Sequence, residues 1–180
     1  SADAHYNIGV IQQAKGLLSE ARSSYEAAVL ADPGHAKAHN NLGVLLQLAG
    51  EDAKSLAHFQ AATTIDPEMV DALFNFGLTL AAQGQPDRAT EALLAVLRLA
   101  PNHTDAQIRL GDVYYQRGQI HDAMRYFKGA LAQQPEQPAT YLKLGVAYLK
   151  DQQPDQAILV FQKLVALKPE DAAGYDMLAR

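Results

Sequence analysis

His35 and His39 stand four residues apart, the spacing that sets two imidazoles on one face of a helix and aims both at a metal ion. No third ligand lies nearby in sequence. The chain has no Cys, which excludes thiolate metal sites, disulfides and cysteine nucleophiles. It carries no Ser/His/Asp motif, no paired-carboxylate signature and no phosphate-cradling glycine loop. Asn102-His103-Thr104 spells a glycosylation sequon, whose use would need a secretory context. These residues predict a non-catalytic chain with no metal and no cofactor.

A second set of polar residues recurs at a fixed interval. Asn7, Asn41 and Asn75 are spaced by 34 residues, and Arg109, Lys143 and Met177 continue the register. An asparagine offers two N–H donors and a carbonyl acceptor, enough to bond the backbone of an extended peptide whatever its side chains. Arg and Lys at the far end can pair with carboxylates. Residues three or four apart share a helical face. That puts Lys37, Asp71 and Asp105 on one side of the ladder, and Val44, Asp112 and Tyr115 on the other. One residue before it come Tyr6, Asn40, Phe74, Ile108 and Leu142.

The elements that must position this ladder follow the same interval. Pro33, Pro67, Pro101, Pro135 and Pro169 are 34 residues apart, dividing the chain into units 2–35, 36–69, 70–103, 104–137 and 138–171 with a partial sixth at 172–180. Within them Gly9, Gly43, Gly77, Gly111 and Gly145 are in phase. So are Ala21, Ser55, Ala89, Ala123 and Ala157, and then Tyr25, Phe59, Leu93, Phe127 and Phe161. Each unit reads as two helices. The first ends at Gly16, Gly50, Gly84 or Gly118, where a left-handed residue stops a helix. The second opens with Pro86 or Pro154 in its first turn and stops before the phased proline.

Gln152 takes the glycine's place in the fifth unit, so a strained turn is expected there. Thr104 with Gln107 resembles a capping box. A glycine inside a helix costs roughly 0.5–1 kcal/mol relative to Ala, and its recurrence calls for a packing reason. The expectation is that each helical glycine faces the small residue twelve positions on, Gly77 against Ala89 for example, so that two axes approach closely. The phased aromatics read as core.

This pattern resembles the tetratricopeptide repeat family, with Leu-Gly, Ala, Phe, Ala and Pro at the offsets of a 34-residue helix–turn–helix, over essentially the whole chain. His5 and His39 depart from the large aromatic frequent in their slot. The resemblance implies an all-α fold, a right-handed α-α superhelix forming one solenoid domain over 1–180. It also implies that first helices line the concave face, with the Asn ladder looking into it, similar to the arm of O-linked N-acetylglucosamine transferases. The expected function is a protein–protein interaction scaffold holding a peptide or protein segment on Asn7, Asn41, Asn75, Arg109, Lys143, Lys37, Phe74, Asp112 and Tyr115. Two alternatives are the substrate-recruiting arm of a larger enzyme and a co-chaperone-like carboxylate binder. For the latter, Asn75 and Arg109 fit the family's clamp, but Asn40, Val44 and Asp105 stand where Lys, Asn and Lys belong.

Composition narrows the partners. A chain 48% hydrophobic carries enough apolar material to fold, and its net charge of −5 with no basic run argues against nucleic acid. No apolar run is long enough to span a bilayer. Net charge falls from −2 in each of the first two units to zero in the fourth and fifth, so acidic segments are expected at the Arg109 and Lys143 end. The first residue is Ser and no signal-like segment opens the chain, as expected of an excised piece. The compartment stays open, with cytoplasm favoured over periplasm. The cut sixth unit is expected to leave Leu164, Val165, Tyr175 and Leu178 short of neighbours, and so to promote self-association through the C-terminal end.

Overall fold

The computed structural model describes residues 1–170 and 172–179. Asp171 and Arg180, which close the fifth unit and the sixth fragment, lie outside the described residues. Among the described residues there are eleven helices and no strand: α1 (Ala2–Ala14), α2 (Leu18–Ala31), α3 (Ala36–Leu48), α4 (Asp52–Ile65), α5 (Val70–Ala82), α6 (Pro86–Leu99), α7 (Thr104–Gln116), α8 (Ile120–Gln133), α9 (Pro138–Lys150), α10 (Pro154–Leu167) and α11 (Ala172–Ala179). The contacts divide the chain into two compact units, Ser1–Ala95 and Val96–Arg180. Within them α1 packs on α2, α3 on α4, α7 on α8 and α9 on α10.

Helix starts are in phase and use an unusual cap. The residues before α1, α3, α5, α7 and α9 are Ser1, His35, Met69, His103 and Gln137. His35 Nδ1 accepts from the Ala38 amide at 3.1 Å, and His103 Nδ1 accepts from the Ala106 amide at 3.2 Å. An imidazole lone pair thus satisfies an orphan donor of the first turn, as a serine oxygen would. The expected capping box does not form. Thr104 is already the first residue of α7, and Gln107 Nε2 reaches back to donate to the Pro101 carbonyl at 3.1 Å.

The helix stops follow the expectation. Gly16, Gly50, Gly84 and Gly118 have φ between 71° and 77°, and Gln152 adopts the same left-handed backbone at φ 57°. The hydrogen bonds match as well. Leu17 N–H reaches Gln12 O at 3.0 Å in the first repeat, and Gln153 N–H reaches Tyr148 O at 2.9 Å in the fifth. Both close the same helix-ending motif. Gln152 therefore carries the side-chain strain that the other repeats avoid with glycine.

The helical glycines face rings, not small residues. A Cβ on Gly111 would lie 2.4 Å from Phe127 Cε1, and one on Gly145 would lie 2.3 Å from Phe161 Cε1. Gly9 meets Tyr25 and Gly43 meets Phe59 in the same way. Gly77 meets Leu93 Cγ at 2.9 Å, and Ala89 is not among its nearest neighbours. The pairing of Gly77 with Ala89 is thereby corrected: the glycine opens a slot for the large residue sixteen positions on. Tyr25, Phe59, Leu93, Phe127 and Phe161 are all buried in consequence.

Leu164 also differs from expectation. The short α11 folds onto α10 and buries Leu164 to 2% exposure, with Gly174 against Val165 and Leu164. Met177 and Leu178 pack partly into the core built by α8, α9 and α10. Only Tyr175, half exposed, keeps the open position predicted for it.

Candidate functional site

The asparagine ladder begins as a chain of hydrogen bonds. Asn75 Nδ2 donates to Asn40 Oδ1 at 3.0 Å, Asn40 Nδ2 donates to Asn41 Oδ1 at 3.3 Å, and Asn41 Nδ2 donates to the Tyr25 hydroxyl at 3.2 Å. Tyr25 in turn donates to Gln13 Oε1 at 2.7 Å. The relay ties α5, α3, α2 and α1 together. Burial raises the Tyr25 phenol pKa, against the opposing hydrogen bond from Asn41, so it stays a neutral donor. The carbonyl of Asn75 and its second N–H are not used by these bonds. Asn7 and Lys37 are exposed, and Phe74 is half-buried.

In the second compact unit the ladder ends in an ion pair. Lys143 Nζ on α9 lies 2.6 and 2.5 Å from the two carboxylate oxygens of Asp112 on α7, and Arg109 NH1 is 3.7 Å from the same carboxylate. Lys143 is therefore already partnered, while the Arg109 side chain is about half exposed at 52%. Beside the pair opens a cavity of about 240 Å³ lined by Asp112, Tyr115, Phe127, Leu142, Lys143 and Val146. Its walls are apolar and its rim offers a donor and an acceptor. That is the arrangement a peptide needs: a place for one side chain, with partners for its backbone N–H and C=O.

The structure thus brings Arg109, Asp112, Tyr115 and Lys143 into one place, and Asn41 with Asn75 into another. Gln13, Tyr25, Asn40, Phe127, Leu142 and Val146 contribute without having been among the expected binding residues. Tyr25 read as core, yet its hydroxyl is the hub of the relay. The available signal was that it alone among the phased large residues carries an oxygen. Phe127 also read as core and is buried at 1% exposure, yet it forms part of the cavity lining.

His35 and His39 do not converge. His35 Nδ1 caps α3, and its Nε2 lies 3.4 Å from Asp3. His39 sends Nε2 to the Pro33 carbonyl at 3.2 Å and Nδ1 to His58 Nδ1 at 2.9 Å. The carbonyl requires a proton on His39 Nε2, so His39 Nδ1 accepts and His58 Nδ1–H donates. Burial lowers both imidazole pKa values. Among the described residues no three His, Asp or Glu side chains lie close enough together to hold a metal.

Comparison with known proteins settles the family. The tetratricopeptide repeat model matches residues 6–70, 74–138 and 114–180. The chain belongs to the tetratricopeptide repeat family. Among solved structures it is similar to that of MamA, 22% identical with a TM-score of 0.86 over 97% of this chain and 95% of that one. It is also similar to YrrB, described as a tetratricopeptide protein with an unusual peptide-binding site, 20% identical with a TM-score of 0.90 over 100% and 93%. PilF of Pseudomonas aeruginosa gives 23% identity and a TM-score of 0.82 over 99% and 82%. These likenesses show the tetratricopeptide solenoid fold. A sequence search of curated proteins gave no match.

Proposed function

We propose that this tetratricopeptide protein is an interaction scaffold that holds an extended peptide segment along its first helices. The observation that carries the reading is the cavity beside Lys143 and Asp112, apolar inside and polar at its rim. It takes one medium-sized apolar side chain, while the Lys143–Asp112 pair bonds the adjoining backbone. The exposed Arg109 supplies the contact for a carboxylate on the same segment. This narrows the acidic preference to Arg109, because Asp112 neutralises Lys143. YrrB, of the same fold, is described as binding peptide, which agrees with this use of the fold.

The test is selection from a random peptide library on the purified chain, followed by affinity measurement. Val146→Phe fills the cavity, and Arg109→Ala removes the carboxylate contact. Each should weaken a selected peptide by about tenfold or more, or roughly 1.4 kcal/mol, with the helical circular dichroism unchanged. Undiminished affinity in the cavity-filled variant sinks the proposal.

A further inference from the structure

A second, larger cavity lies on the second helices, away from the first-helix site. It measures about 730 Å³, and it runs between α8 and α10 over a floor made by Tyr141, Leu144 and Tyr148 of α9. Leu159 on α10 projects into it and is 54% exposed. Its lining on α10 extends from Gln156 to Ala166, about 15 Å or three helical turns. The two charged side chains that line it are Lys128 on one ridge and Lys163 on the other, and no carboxylate joins them. In a chain of net charge −5 that local sign runs against the average. Lys128 Nζ is held 5.1 Å from the Tyr148 ring centroid, which keeps one cation at the groove's edge. The hydroxyls of Tyr141 and Tyr148 make no hydrogen bond among the described residues.

The repeat scaffold does not require this groove. Three repeats earlier the matching residues are His39 for Tyr141, His58 for Val160 and Glu26 for Lys128. There the two imidazoles bond each other at 2.9 Å across the space, and the ridge charge is reversed. An apolar floor, a three-turn length and a lysine on each ridge together describe the complement of one kind of ligand. We propose that the α8–α10 groove is a second docking surface, for an amphipathic helix of a partner protein whose apolar stripe is flanked by carboxylates. Apolar anchors at i, i+3 or i+4, and i+7 would lie along the floor. Glutamates or aspartates on either side would meet Lys128 and Lys163, with the tyrosine hydroxyls as further donors.

The experiment uses two labelled helical peptides with the same leucine stripe, one flanked by glutamates and one by lysines, titrated into the chain by fluorescence anisotropy. The glutamate peptide should bind at least about tenfold more tightly than the lysine peptide, and its affinity should weaken with salt. Lys128→Glu with Lys163→Glu, both exposed positions, should reverse that order with the thermal midpoint retained. Val146→Phe, which fills the first-helix cavity, should leave it untouched. The proposal is overturned if the two peptides bind equally, if neither binds, or if charge reversal changes nothing. Loss of binding in Val146→Phe would likewise overturn it by moving the contact to the other site, leaving the proposed function intact. A concentration-dependent dimer abolished by Leu159→Asp would replace the partner helix with a second copy and equally overturn it.

Discussion

Ser55 is fully buried in a slot that Ala21, Ala89, Ala123 and Ala157 fill in the other repeats, and its hydroxyl has no hydrogen-bond partner among the described residues. An unpaired buried hydroxyl costs about 1–3 kcal/mol. Ser55→Ala should therefore stabilise the protein by roughly 1 kcal/mol, read as a higher urea midpoint with an unchanged slope; a lower midpoint would mean the hydroxyl is paired. Gly111 makes the opposite kind of prediction. An added methyl would meet ring carbons of Phe127 at 2.4 and 2.6 Å, so Gly111→Ala should destabilise by about 1–3 kcal/mol. The third repeat pairs Gly77 with Leu93 at a looser 2.9 Å. Adding Phe127→Leu should thus recover part of the loss, and a double-mutant cycle with no coupling would place the clash elsewhere.

Helix ends and helix contacts respond to different chemistry. Gln152 holds φ 57° where four other repeats use glycine, and its side chain is exposed. Gln152→Gly should relieve left-handed strain and stabilise by about 0.5–1 kcal/mol. If the urea midpoint falls instead, the turn draws support from the glutamine side chain. The contact of α3 with α4 is the acid-sensitive one. Burial first, with His35 opposing the Pro33 carbonyl, lowers the His39 pKa. Burial with His39 and Arg22, opposed by Glu26, lowers that of His58. The unfolded chain then takes up protons before the folded one as pH falls. Stability is full above the ordinary imidazole value of about 6.5, and declines from there toward the lower folded values. Thermal midpoints across that window should fall in the wild type. They should stay flatter in His39→Tyr with His58→Val, which installs the residues the fifth repeat carries. An equal slope in both proteins would clear the pair.

Over the whole molecule the repeats contribute unequally. Among its buried residues α1 has only Gly9, with Ile8, Val10 and Ile11 exposed, whereas α3 buries seven residues between helices on both sides. In a repeat array each unit is held by its neighbours, so an end helix opens at lower free energy than an inner one. Amide hydrogen exchange should be faster throughout α1 than in the middle of α3, and equal protection would mean that α1 is held by something beyond α2. The first compact unit carries a polar relay through α1, α2, α3 and α5, and the second carries a small cavity beside the Lys143–Asp112 pair and a wider apolar groove edged by lysine between α8 and α10.

The sequence alone determined the repeat length, the two helices of each unit and their stops, because these rest on local rules. A helix end needs a left-handed residue or a proline within a few positions, and the 34-residue interval states where each one falls. It also named the residues that share the first-helix face, since helical spacing alone fixes that. Which atoms meet was decided by the tertiary structure. The glycines accommodate the ring sixteen residues on instead of the small residue twelve on, because the crossing of two helices places the largest side chain where the backbone is barest. Asn41 was legible as a ladder member, but its donation to Tyr25 was not, since that bond depends on how far a buried ring reaches. Lys143 was legible as a cation facing a partner. Its capture by Asp112, thirty-one residues away, follows from the packing of α9 on α7 and α8, which no periodicity encodes.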